Sequence, residues 1–155
     1  MKSVRFLGIV LLAAMPFLTM KAQKAMTPQD LQDWKRITTR TISNDGQWAA
    51  AMFTPWKGDS EVQLLSVDGK AVKTYSPASE VKFSSSYALV KKVPADALMD
   101  ELKLKKTKKD KMPMDELIIR NLKNGTEWTI DSLKGYKLAE GGEWLAYQRT
   151  RKDSS

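Results

Sequence analysis

The chain has 155 residues, 26 basic against 18 acidic, a formal net charge of +8, no cysteine and no histidine. Without cysteine there are no disulfide staples, no thiol nucleophile and no thiolate metal site. Without histidine there is no imidazole to run a Ser-His-Asp triad, and the commonest metal ligand near neutral pH is missing.

Met1-Lys2-Ser3-Val4-Arg5 is short and basic, and the stretch from Phe6 to Met20 is apolar, interrupted by Pro16. A transmembrane helix needs about 20 apolar residues, so this stretch is short for a span. With Lys21-Ala22-Gln23 as a small-residue exit, residues 1–22 read as a secretory signal cut after Ala22, with Ala25 as the reserve site. A retained anchor is the competing reading, disfavoured by length and flanks. No cysteine follows, which excludes a lipid anchor. Without Lys2, Arg5 and Lys21, 23 basic residues stand against 18 acidic ones, so the exported part carries +5.

Residues 23–41 are expected to form an N-terminal helix and a lead-in strand. Thr27-Pro28-Gln29-Asp30 places a cap, a first-turn proline and an acid at the positive end of the dipole. Leu31, Trp34 and Lys35 share a face, with Trp34 as packing anchor, and the helix is expected to end near Arg36. The β-branched run Ile37-Thr38-Thr39-Arg40-Thr41-Ile42 then reads as strand.

From Ile42 the chain alternates two hairpin units. One recurs as Ser43-Asn44-Asp45-Gly46-Gln47-Trp48, Ser84-Ser85-Ser86-Tyr87 and Ala139-Glu140-Gly141-Gly142-Glu143-Trp144, each leading into an apolar strand. The other recurs as Val62 to Val67 turned by Asp68-Gly69, and Leu117 to Leu122 turned by Asn124-Gly125. Asp-Gly, Asn-Gly and Gly-Gly suit two-residue hairpin turns with positive φ. Paired apolar residues such as Leu64-Leu65 and Ile118-Ile119 suit strands buried between stacked sheets. The second unit recurs 55 residues apart, from Val62 to Leu117. Roughly 40–50 residues per four-stranded unit mark a β-propeller, and an insertion over 95–114 accounts for the excess. The expected architecture is all-β: an incomplete propeller over 42–155, about two four-stranded antiparallel blades plus a further hairpin strand. The insertion reads as helix plus loop, with Ala95, Leu98, Met99 and Leu102 on one stripe and Pro113 as its stop.

Six lysines in the nine residues from Lys103 to Lys111 raise the question of a polyanion partner. No aromatic residue is interleaved to stack bases, so the run reads as a solvated helix end, and no nucleic-acid partner is expected. Trp48, Trp128 and Trp144 follow turns and read as core; Trp56, in a connecting loop, reads as exposed. Asn124-Gly125-Thr126 is a glycosylation sequon in form and a hairpin turn in meaning. Asp45, Asp59, Asp68, Asp115 and Glu116 form no evident dyad. There is no G-x-S-x-G elbow, phosphate loop or dinucleotide fingerprint. The sequence therefore offers no catalytic, cofactor-binding or metal-binding residue.

Leu31-Gln32-Asp33-Trp34-Lys35-Arg36-Ile37 followed by Ile42-Ser43-Asn44-Asp45-Gly46-Gln47-Trp48 resembles the start of exported bacterial prolyl oligopeptidase-type serine peptidases. Leu102-Lys103-Leu104-Lys105-Lys106-Thr107-Lys108-Lys109 with Met112-Pro113-Met114 is similar to an insertion in that family. Tyr136 to Glu140 before Trp144-Leu145-Ala146-Tyr147-Gln148 fits it too, so the likeness spans nearly the whole chain. The resemblance implies an N-terminal propeller that screens peptide substrates for a C-terminal α/β-hydrolase domain carrying Ser, Asp and His. That domain is missing here, and none of its catalytic residues can be assigned. Some relatives hold a substrate amino terminus with adjacent glutamates; no Glu-Glu occurs in this sequence. The expectation is a non-catalytic propeller fragment with a gating and structural role, located in the periplasm or outside a Gram-negative cell. Its partners would be the hydrolase domain and, in the full-length parent only, peptide substrates. No membrane contact beyond export is expected. The alternative is a stand-alone exported binding module that self-associates through open strand edges.

Overall fold

The computed structural model describes residues 25–150; the signal segment expected over 1–22 lies outside them. Thr27 opens α1 (Pro28–Asp33) through a reciprocal box. The Thr27 N–H donates to Asp30 at 2.7 Å and the Asp30 N–H donates back to Thr27 Oγ1 at 3.3 Å. The helix is shorter than its sequence suggests. Trp34 is already its extended C-cap, and β1 (Lys35–Ile42) takes Lys35 and Arg36 into pairs with Pro55 and Thr54. Sheet pairing of a β-branched run outweighs another half-turn of helix. Trp34, expected as a packing anchor, is instead 61% exposed.

β1, β2 (Trp48–Pro55), β3 (Glu61–Ser66) and β4 (Ala71–Tyr75) form an antiparallel four-stranded sheet in chain order. Ser76 and Pro77, joined by a cis peptide bond, lead into the second sheet. That sheet orders β5 (Ala78–Phe83), β6 (Tyr87–Lys92), β7 (Asp115–Asn121), β8 (Glu127–Leu138) and β9 (Leu145–Arg149), again antiparallel. The fold is therefore mostly β, in two meandering sheets.

The hairpin glycines do take positive φ: 69° at Gly46, 72° at Gly69, 73° at Gly125 and 71° at Gly142. The loops, however, are longer than the two-residue turns expected. Ser43 N–H reaches Trp48 O at 2.8 Å and Ser66 N–H reaches Lys70 O at 3.0 Å, leaving four and three residues between the paired ends. Gly69 and Gly125 sit last in their loops and Gly46 and Gly142 last but one, each a single left-handed residue, where a type I′ turn would need two. The Ser85-Ser86 loop, closed by Ser84 N–H to Tyr87 O at 2.8 Å, has two residues.

Between β6 and β7 the chain leaves the sheet as α2 (Asp96–Leu104) and a 3₁₀ turn (Lys109–Lys111). Neither buries a side chain fully, and Leu104 is 85% exposed. Lys106, at φ 51°, ends α2, with Thr107 N–H returning to Leu102 O at 3.0 Å. The lysine run is thus a solvent-facing helix end. Lys103 and Lys105 pair along the helix with Asp100 and Glu101.

Period-two alternation sends side chains into two cores. Ala50, Val62, Leu64 and Tyr75 of the first sheet meet Ala78, Val81, Ala88, Val90, Ile118 and Leu122 of the second, with Trp48, Met52 and Phe83 against them. On the opposite face of the second sheet, Leu89, Leu117 and Leu133 gather Ile119, Ile130, Tyr136, Leu138 and Leu145. Adjacent residues therefore serve different cores, as Leu117 and Ile118 do. Trp48 is core-packed as expected, but Trp128 is 49% and Trp144 78% exposed. Position after a turn places an aromatic ring; it does not cover it.

Candidate functional site

Two polar networks and one groove stand out. The first network joins the sheets. Tyr75, at the end of β4, donates its hydroxyl to Glu127 Oε1 at 2.8 Å, at the start of β8. Arg120 Nη1 donates to the same oxygen at 2.7 Å and to Gly125 O at 3.1 Å, tying β7, its turn and β8 together. Burial, then the bond to Glu127, pushes the Tyr75 phenol above its ordinary range. Burial opposes the charged form of Glu127, but Tyr75, Arg120 and Lys73 outweigh it and hold the carboxyl below its usual value.

The second network lies across β5, β6, β7 and β8. Glu80 pairs with Lys82 at 2.8 Å, and Lys91, its cross-strand neighbour, pairs with Asp115 at 2.8 Å. The Tyr136 ring stands 5.2 Å from Lys82 Nζ. Its buried hydroxyl faces the Glu80 side without completing a hydrogen bond among the described residues. Burial and the Glu80 charge push that phenol up, while Lys82 holds Glu80 down against its own burial. These are ion pairs with all partners present, suited to fixing strand positions.

Of the acidic residues noted in the sequence, Asp45, Asp59 and Asp115 have separate structural duties. Asp45 accepts from Ser43 Oγ at 2.6 Å and Gln47 N–H at 3.0 Å, bonds that lower its pKa. Asp59 caps α2 across the chain, accepting the Asp96 N–H at 2.8 Å. Asn124 accepts from Thr126 N–H at 3.0 Å, within its turn. No group of three acidic residues among those described is placed to hold a metal ion. Among the described residues no helix is long and apolar enough to cross a membrane.

The groove, about 680 Å³, lies at one end of the first sheet, between α1 and the β2–β3 loop. Pro28, Leu31 and Trp34 line it from one side, Arg36 and Thr54 from β1 and β2, and Pro55 with Trp56 from the other. Trp56 is 90% exposed. Its exposure was legible in the sequence; its companionship with Trp34 was not, because the β1–β2 register makes it. No protein-family model, curated protein or solved structure matches this chain.

Proposed function

We propose that the chain is the N-terminal propeller part of an exported prolyl oligopeptidase-type serine peptidase, with a structural and substrate-gating role and no chemistry of its own. The first sheet is then one blade. β5, β6, β7 and the first half of β8 make the second, and the rest of β8 with β9 begins the third.

One observation carries this reading. A hairpin loop closed by a backbone bond and followed by an aromatic residue joins the first two strands of each of the three units: Ser43 N–H to Trp48 O at 2.8 Å and Ala139 N–H to Trp144 O at 2.9 Å around four residues, and Ser84 N–H to Tyr87 O at 2.8 Å around two. The 12-residue β8 fits the same scheme, since it changes partners midway. It pairs with β7 up to Leu133 and with β9 from Leu133 onward, with Ser132 at φ 54° just before the change. The second core then packs the β8–β9 hairpin on the second blade as the first core packs blade on blade. A wall of packed sheets restricts access to a cavity by its rigidity, which is the property a size filter needs.

The test is to sequence the source DNA beyond the Ser155 codon. A frame running through further hairpins to a G-x-S-x-G and a later histidine bears the proposal out. A stop codon with no hydrolase segment in any neighbouring frame overturns it and leaves a binding module.

A further inference from the structure

We infer that the groove between α1 and the β2–β3 loop is a binding site for an acidic oligosaccharide. Trp34 and Trp56 line it together, yet neither indole is in ring contact with another aromatic among the described residues. Two flat apolar faces are therefore open to solvent, at 61% and 90% exposure. Together with Pro28, Leu31 and Pro55 they make one apolar patch, and a contiguous exposed patch marks a contact surface where a lone exposed ring does not. Pyranose rings present a flat C–H face that stacks on an indole, much as bases stack on aromatic platforms.

The polar side chains of the groove define the charge of the ligand. Arg36 has no carboxylate partner among the described residues, and none of the described residues that line the groove is acidic. Its guanidinium is free to take a carboxylate bidentately. Both indole N–H groups also lack acceptors among the described residues. The Thr54 hydroxyl is already committed, to Thr38 at 2.9 Å and Ser60 at 3.3 Å. The free side-chain groups of the described lining residues are thus donors, matched by the ring oxygens, hydroxyls and carboxylates of a uronic-acid chain. This site is independent of the propeller reading and lies outside both cores.

The experiment titrates the whole chain with oligogalacturonate, a neutral cello-oligosaccharide, a single-stranded oligonucleotide and a blocked acidic peptide, following tryptophan fluorescence. Saturable binding is expected to be tightest for oligogalacturonate and to weaken with salt. Trp56→Ala, on a nearly fully exposed side chain, is expected to weaken it about tenfold or more. Arg36→Gln is expected to remove most of the preference for the acidic over the neutral sugar, about tenfold, with weak neutral binding kept. Both variants are expected to melt as the parent does. No saturable binding of oligogalacturonate, tighter binding of the peptide or the oligonucleotide, or binding unchanged in Trp56→Ala each overturns the inference.

Discussion

The Tyr75 hydroxyl and the Glu127 carboxylate meet at 2.8 Å although 52 residues separate them in sequence. The contact ties the last strand of the first sheet to the eighth strand of the chain, and Arg120 locks the same oxygen from β7. Tyr75→Phe keeps the buried ring and loses only the hydroxyl bond, so a loss of about 1 kcal/mol is expected in urea unfolding.

The same pair sets a pH dependence. Glu127 titrates below its ordinary 4.5, so its contribution is complete above that value and is lost as the pH falls through the lowered one. Tyr75 titrates above its ordinary 10.0, so its contribution is complete below pH 10 and is lost as the pH rises beyond it. Melting temperature against pH is expected to fall at both ends. Glu127→Gln should flatten the acid limb, and Tyr75→Phe the alkaline one. Unchanged limbs in both variants would sink this account.

Two glycines with almost the same backbone angle are expected to differ in their response to alanine. Gly46 has φ 69° and nothing within 4 Å of an added Cβ, so Gly46→Ala should cost about 1 kcal/mol from backbone strain. Gly142 has φ 71°, and its added Cβ would lie 3.1 Å from Ser84 Cα and Ser85 N. That backbone must shift as well, so Gly142→Ala is expected to cost visibly more than Gly46→Ala. Equal melting temperatures would show that the two hairpin loops do not press on each other.

Leucine truncations should separate the cores from the insertion. Leu64→Ala and Leu117→Ala remove fully buried side chains from the first and second cores, and each should cost about 2–5 kcal/mol. Leu104→Ala, at the exposed end of α2, should change stability by less than about 0.5 kcal/mol. Denaturant midpoints check all three, and a large effect at Leu104 would mean that the insertion is covered in solution.

Asp59 holds α2 from outside the helix. Ala95, the N-cap residue, has no side-chain acceptor, so the Asp96 N–H depends on Asp59 at 2.8 Å. Asp59→Ala is expected to speed amide hydrogen exchange in the first turn of α2 by about fivefold, near 1 kcal/mol, and to leave β6 and β7 protected. Equal exchange in the two proteins would show that water serves the cap as well.

The sequence by itself determined the strand-rich class, the positions of the hairpins and the insertion, and the cap at Thr27. Those depend on neighbours only: a glycine that takes positive φ, alternating apolar residues, a threonine three places before an acid. It also marked Trp56 as exposed from its loop context. Only the tertiary structure decided that α1 stops at Asp33, that Trp144 is left uncovered, and that β8 runs unbroken through Asp131 and Ser132. Helix length was decided by pairing of Lys35 and Arg36 with β2, and ring burial by what a second sheet brings above the ring. The Tyr75–Glu127 bond, the Asp59 cap and the Trp34–Trp56 groove were equally hidden. Each joins residues that local spacing leaves unrelated, and strand register alone brings them together.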